Sequence, residues 1–264
     1  MLLDILILFL HFRSCQNLVP GLVEISRGVD VSKLDILPVT TQFSKGFGRS
    51  ILNYTCANNK KWKDPFSKRI YNLPDQISSI NELPGSIFEA RSSYNMDFES
   101  IKQSMAVDVG IKFLPGMFSA SSSYQRSLYS MTNQSRYIIT VNSFFSAFQV
   151  DLMPYWSSEI YNYEFYQFIN HVLPDTYDGN EDKYHELLET FGTHFFSSGL
   201  FGGMYRMIFE IKKSLTQKLT TDEIEASAKA SFFNSVLNLT GDHESSSKYV
   251  SEQFVQNSNT IIRK

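Results

Sequence analysis

The spacing of apolar residues changes along the chain and predicts a succession of strands and helices. Residues 18–90 hold short apolar runs separated by glycine and proline, which predicts brief strands and turns. Residues 136–150 are rich in β-branched and aromatic side chains, which favours a long strand. Apolar residues recur at helical spacing over residues 165–173 and 184–191, and a period of two returns over residues 193–212. We therefore predict two main strands with two helices between them.

Another alternating stretch precedes a turn at residues 114–116. Two interpretations fit this amphipathic pattern. The simpler one is a half-buried surface hairpin of a soluble sheet. The other is a pair of strands with one face on lipid and the other on water, as in membrane barrels. The apolar members of the alternation are Val107, Val109, Ile111 and Phe113.

Composition and charge describe an ordinary globular chain. It has 264 residues, of which 42% are hydrophobic and 19% charged, and a net charge of -3. Neither the net charge nor any long basic run favours nucleic acid as a partner. The short run Lys60-Lys61-Trp62-Lys63 is interpreted as a solvated turn rather than a binding patch. The 22 phenylalanines and 14 tyrosines favour a large share of sheet.

The first residues resemble a secretory leader. Residues 2–12 form an apolar run that is too short to span a bilayer, which needs about 20 residues. We predict a signal peptide over residues 1–15, with a buried core helix as the alternative. Three acceptor triplets for N-glycosylation, at Asn53, Asn133 and Asn238, agree with export. Cleavage after residue 15 would leave Cys56 without a partner in the chain.

Enzyme chemistry finds little support in the sequence. The run from His185 to Glu189 misses the zinc-protease pattern, because an imidazole would be needed where Glu189 stands. His194 follows a glycine at the start of a predicted strand and is interpreted as a structural histidine. No nucleophile elbow or phosphate-binding loop appears. We therefore predict no catalytic residues, no metal site, no cofactor and no enzymatic activity.

A motif at the junction of the second helix and the strand after it carries a family resemblance. It contains an aromatic residue, glycine, threonine, histidine, an aromatic residue, six further residues and a glycine pair. This order resembles the hallmark of the membrane-attack-complex/perforin family, with phenylalanine where tyrosine or tryptophan is usual. A glycine ends a helix cheaply, and a glycine pair suits a bend in a sheet or the close approach of another backbone. The motif residues are Phe191, Gly192, Thr193, His194, Phe195, Gly202 and Gly203.

The resemblance implies an α+β fold with a bent, mainly antiparallel central sheet flanked by helices. It also implies two helical clusters, at about residues 100–135 and 214–259, that refold into amphipathic β-hairpins on membranes. The second cluster has alanines that favour helix and an apolar alternation that favours strand. A soluble helix with scattered alanines is the simpler interpretation. The residues of this alternation are Ile224, Ala226, Ala228, Ala230 and Phe232.

In function, the resemblance implies a secreted glycoprotein that becomes membrane-associated. Such a protein would oligomerise into a ring or arc on a lipid membrane and form a transmembrane pore, in immune defence or as a toxin. The alternative is a non-lytic family member in adhesion, development or egg provisioning. The family's last sheet strand should begin near residue 260, so the domain, residues 16–264, is expected to be incomplete at its C-terminal end.

Overall fold

The computed structural model of the chain divides into two compact units, each built from several separate stretches of sequence. The first unit comprises residues 1–31, 46–84 and 146–201, and the second comprises residues 32–45, 85–145 and 202–264. The residues that the structure describes are 15–35, 46–83, 90–108, 112–154, 160–240 and 249–263.

Short strands and helices make up the first unit, as the glycine- and proline-rich sequence predicts. Its elements are α1 (Leu22–Ile25), β1 (Arg27–Val29), β2 (Phe47–Ser50), β3 (Lys61–Lys63), β4 (Ile70–Asn72), β5 (Ile77–Glu82), α4 (Tyr163–Gln167), a π-helix (Phe168–Val172), α5 (Glu181–Phe191) and β8 (His194–Phe195). Strands β2, β1 and β8 form one antiparallel sheet, and β3 pairs with β4 in a separate hairpin.

The second unit holds the helices that the family resemblance places around the sheet. Its elements are β6 (Ala90–Asn95), α2 (Phe98–Asp108), α3 (Ser122–Asn133), a 3-10 helix (Lys213–Gln217), α6 (Thr221–Thr240), α7 (Glu252–Asn257) and β10 (Ser258–Arg263). Two long strands contribute residues to both units: β7 (Arg136–Leu152) and β9 (Ser198–Lys212).

The largest sheet has the strand order β10-β9-β7-β5, and β6 also pairs with β7. The pairs β5–β7, β6–β7 and β9–β10 are antiparallel. Together with the flanking helices they confirm the predicted α+β class. Strand β10 pairs with β9 from Ser258 to Arg263, so the last strand begins slightly earlier than the sequence predicts.

Each unit has its own apolar core. In the first unit, Trp62, Tyr71 and Phe148 are buried in one cluster. In the second unit, one cluster joins the inner faces of β7 and β9 to the helices α6 and α7. Its fully buried members are Ile139, Val141, Met207, Phe209, Ile211, Leu215, Ile224, Ala228, Phe232 and Phe254.

The surface hairpin favoured for the alternation after residue 105 is wrong at Val107 and Asp108, which lie in α2, while residues 109–111 lie outside the described residues. Asp97 accepts a hydrogen bond from the backbone amide of Ser100 at 2.7 Å, which stabilises the first turn of the helix. Ile101 and Met105, one helical turn apart, are both buried. Helical periodicity therefore governs this segment, and the shorter alternation does not.

A disulfide joins Cys15 to Cys56, with 5.3 Å between their Cα atoms. The prediction that Cys56 lacks a partner thus applies only to a chain that has lost Cys15. Most of the predicted leader, residues 1–14, lies outside the described residues. The leader itself stays a prediction, and a cut before Cys15 would keep the bridge.

Replacing both cysteines by serine should lower the free energy of unfolding by about 3 kcal/mol, because the bridge restricts the unfolded chain. Denaturant titration of the wild-type chain and the double variant would measure the loss. Reductant should lower the wild-type midpoint and leave that of the variant unchanged. Equal midpoints before reduction would contradict a stabilising bridge.

Candidate functional site

The junction motif begins with an aromatic ring that closes the end of α5. The ring of Phe191 is buried and packs edge-on against Phe165 and Phe168, with ring centroids 5.0 and 5.9 Å away. Since these contacts are apolar, phenylalanine fills the position without the polar atom of a tyrosine. The helix ends here, as the sequence predicts.

Gly192 follows the helix with φ of +86°, a conformation that side chains oppose. Its amide donates to the carbonyl of Leu188 at 2.9 Å. A Cβ at this position would also lie 2.6 Å from the backbone of Val29. Both the backbone angle and the close approach of β1 therefore require glycine.

Two more glycines allow β1 and β2 to approach the end of α5 closely, and sequence reasoning missed their role. A Cβ at Gly28 would lie 1.6 Å from the carbonyl oxygen of Phe191, and one at Gly48 would lie 2.7 Å from its carbonyl carbon. The sequence around Gly48 predicts only a turn, and Gly28 carries no local signal. Their shared role appears only when β1 and β2 meet the end of α5.

Thr193 and His194 attach the motif to β1. The amide and the hydroxyl of Thr193 both donate to the carbonyl of Val29, at 2.9 and 3.2 Å. The same hydroxyl accepts from the amide of Val31 and lies 2.9 Å from Nδ1 of His194. In the β1–β8 pairing, His194 is opposite Val29 and Phe195 is opposite Gly28. The motif thus joins the segment after α5 to β1 by hydrogen bonds and strand pairing, and its histidine is exposed.

The glycine pair behaves differently from the rest of the motif. A Cβ at Gly203 would meet nothing within 4 Å. Gly202 and Gly203 are both exposed on β9. Of the two roles predicted for the pair, the close approach of another backbone does not apply at Gly203, and the bend in the sheet stays a prediction.

Polar groups join the first helical cluster to the sheet, in addition to the buried apolar side chains of α2. The hydroxyls of Ser93 on β6 and Ser104 on α2 lie 2.5 Å apart, and Ser104 donates to Asn95 at 2.9 Å. A groove of about 400 Å³ remains between these elements. In α3, Ser130 donates to Glu210 at 2.9 Å. We call this set of hydroxyl contacts the polar seat.

The candidate lipid-facing residues of this cluster do not share one environment. Val107 is 73% exposed on α2. Phe113 is half-buried in the turn after α2. Val109 and Ile111 lie outside the described residues.

The second cluster is held mainly by apolar contacts. Ile224, Ala228 and Phe232 lie one helical turn apart on α6 and are fully buried. The ring of Phe232 lies 5.3 Å from that of Tyr205 on β9. Ala230 is also buried, whereas Ala226 is exposed. The five alternating residues therefore do not lie on a single face of the helix.

Polar groups fix the start and one edge of α6. Thr220 and Glu223 form a reciprocal capping box, in which the amide and hydroxyl of Thr220 donate to the carboxylate at 2.8 and 2.9 Å. These bonds hold the pKa of Glu223 below its ordinary value, so the cap persists above that value and is lost as the pH falls. Glu225 accepts from Ser92 on β6. Burial, followed by the nearby Tyr137 and Glu225, raises the pKa of Tyr94 to about 12.

The glycosylation candidates lie in three settings. Asn133 is exposed at the last residue of α3. Asn53 is half-buried, and its backbone amide donates to the carbonyl of Ile160. Asn238 lies in α6. Among the helices of the described residues, none is both long and apolar enough to cross a bilayer.

Comparison with known proteins identifies the family and the fold. A family model described as the MAC/Perforin domain matches residues 25–264. The Perivitellin-2 67 kDa subunits of Pomacea canaliculata and Pomacea maculata are each 28% identical over 243 residues, which is 91% of this chain and 42% of the relative. The chain thus spans less than half the length of these relatives.

A similar solved structure is that of GNIP1Aa from Chromobacterium piscinae. The TM-score is 0.61 at 17% identity, and the match covers 92% of this chain and 43% of the other. At this identity the likeness is one of fold.

Proposed function

Because this chain belongs to the MAC/perforin family, we propose that it is a secreted, perforin-like pore-forming protein acting in immune defence or as a toxin. It oligomerises as a ring or arc on a lipid membrane and inserts amphipathic β-hairpins. Several copies are needed, since lipid requires a closed barrel and two hairpins from one copy cannot close it. No enzymatic role is proposed.

The burial pattern of α6 is the observation that carries this proposal. Ile224, Ala228 and Phe232 form core contacts while the segment is helical. In an extended strand, these three residues and Ala226 and Ala230 would all fall on one face. The opposite face would then hold the intervening polar residues, from Glu225 to Ser231. One sequence thus supports a buried helix and a strand with an apolar side, as a refolding segment requires.

Secretion is supported by independent features. The Cys15–Cys56 bridge suits an oxidising compartment. Asn133 presents an acceptor triplet on an exposed helix end. Both features agree with a leader that is cut before Cys15 and with a protein that meets membranes from outside the cell.

A non-lytic role in adhesion, development or egg provisioning is the alternative. The observation that favours it is the composition of the second alternation, in which three of the five apolar positions are alanine. Alanine is a weak membrane anchor because its side chain offers little apolar area. The curated relatives bear the name Perivitellin-2, which does not separate the two roles.

Dye release from lipid vesicles, combined with electron microscopy of the same vesicles, tests the proposal. Rings or arcs that accompany release are the expected result. Assemblies without release would favour the non-lytic alternative. A chain that neither binds vesicles nor assembles on them would contradict both membrane roles.

A further inference from the structure

The hairpin of β3 and β4 concentrates positive charge on one exposed ribbon. We call residues 60–70 the basic hairpin. It carries five cationic side chains and a single carboxylate, although the whole chain has a net charge of -3. All five cations are exposed: Lys60, Lys61, Lys63, Lys68 and Arg69. The fold thus brings residues from two separate stretches into one patch that the short run of lysines alone does not reveal.

The inner face of the basic hairpin fixes its orientation. Trp62 is directly opposite Tyr71, and the two rings stack 6.4 Å apart. Trp62 also lies 4.7 Å from the ring of Phe148 in the core. Because neighbouring side chains of a strand alternate between its faces, Lys61 and Lys63 project away from this anchor.

The turn of the basic hairpin holds an aromatic ring at its tip. The carboxylate of Asp64 accepts from the amides of Phe66 and Ser67, at 2.9 and 3.2 Å, and from the hydroxyl of Ser67. Phe66 is 51% exposed, and Ile70, which is opposite Lys63, is 56% exposed. Apolar and cationic side chains therefore share the outer surface.

The base of the basic hairpin is fastened to the start of the described chain. The amide nitrogens of Asn72 donate to Gln16 and Asn17, through the side chain at 2.7 Å and the backbone at 2.9 Å. The bridge from Cys15 to Cys56 closes the same region. The outer surface is thus presented on a fixed ribbon, which lowers the entropy lost on binding.

We propose that the basic hairpin docks the protein on anionic phospholipid headgroups at a bilayer surface, an inference that rests on the proposed membrane function. Clustered lysines and arginines are attracted to an anionic leaflet. Phe66 and Ile70 enter the interfacial region, where apolar side chains leave water. Lys60, Lys61, Lys63 and Arg69 form no salt bridge with another described residue, so docking breaks none. A polyanion in solution would use the cations and leave Phe66 and Ile70 in water.

Sedimentation with phosphatidylcholine vesicles, with and without phosphatidylserine, tests this docking surface. Lys61→Gln/Lys63→Gln should bind phosphatidylserine vesicles about 30-fold more weakly than wild type, given the attraction of each lysine to an anionic leaflet. Lys183→Gln/Lys212→Gln removes the same charge from exposed positions outside the basic hairpin and both helical clusters, and should bind as wild type does. Phe66→Ser should also weaken vesicle binding while leaving heparin binding unchanged.

Two results would overturn the docking surface. One is equal phosphatidylserine binding by wild type and Lys61→Gln/Lys63→Gln. The other is a Phe66→Ser variant that binds vesicles as wild type does, which would assign the patch to soluble polyanions. Dye release is recorded in parallel, so that the two hypotheses fail separately. Vesicle binding that depends on the basic hairpin but is not followed by dye release would contradict pore formation and support the docking surface. Dye release that is unchanged in the variants of the basic hairpin would support pore formation and contradict the docking surface.

Discussion

An oxidised Ser93→Cys/Ser104→Cys protein is expected to bind vesicles as wild type does and to release no dye above background. The two hydroxyls already lie 2.5 Å apart, so sulfur atoms at these positions can bond with little movement of the backbone. The new disulfide would tie α2 to β6. If the first cluster must leave the sheet to become a hairpin, the tie prevents insertion without altering the membrane-binding surface.

The single variants Ser93→Cys and Ser104→Cys are the matched controls for this engineered disulfide. Both should release dye with and without reductant, since neither can form the tie. Reduction should restore release by the double variant, and thiol titration should verify that the bond has opened. Full release by the oxidised double variant would show that α2 does not refold during pore formation.

Gly28→Ala is expected to lower the free energy of unfolding by about 3 kcal/mol or more, at the upper end for overpacking in a core. The added methyl would lie 1.6 Å from the carbonyl oxygen of Phe191 and 2.7 Å from Cδ1 of Ile51. Backbone occupies one side of the site, so the clash cannot be relieved by turning a side chain. The yield of folded protein and its melting temperature would measure the effect.

Gly203→Ala is the matched control, because it adds the same methyl group where nothing lies within 4 Å. It should fold with the wild-type yield and melt at the wild-type temperature. A normal yield of Gly28→Ala would show that the junction can open to admit a methyl group. A poor yield of Gly203→Ala would show that the pair constrains folding in a way that the folded chain does not display.

Local spacing predicts the main elements of this fold well. The long strand over residues 136–150 and the helix ending at Phe191 follow from side-chain type and periodicity, which are properties of neighbouring residues. The alternation after residue 105 misleads because strand and helix patterns compete there. Burial of Ile101 and Met105 decides in favour of the helix, and that burial depends on the tertiary fold.

The candidate site was predictable only in part. The junction motif is contiguous from Phe191 to Phe195, so its residues can be recognised from the sequence alone. Gly28 and Gly48 could not be assigned, because their contacts with Phe191 join segments far apart in the chain. The basic hairpin was hidden for a similar reason, since its charge comes from β3 with Lys60 and from Lys68 and Arg69 in the turn, whose proximity a single run of lysines does not specify.

The polar seat of α2 and the apolar packing of α6 respond differently to temperature. Exposing apolar surface raises the heat capacity, whereas exposing polar surface lowers it. Lifting α6 uncovers the apolar core around Ile224 and Phe232, while lifting α2 uncovers buried apolar side chains together with hydroxyls such as that of Ser104. Cooling therefore weakens the apolar part of both contacts, and the hydroxyl contacts of α2 offset part of that loss. If both helices leave the sheet during insertion, the slower of the two steps can then change with temperature.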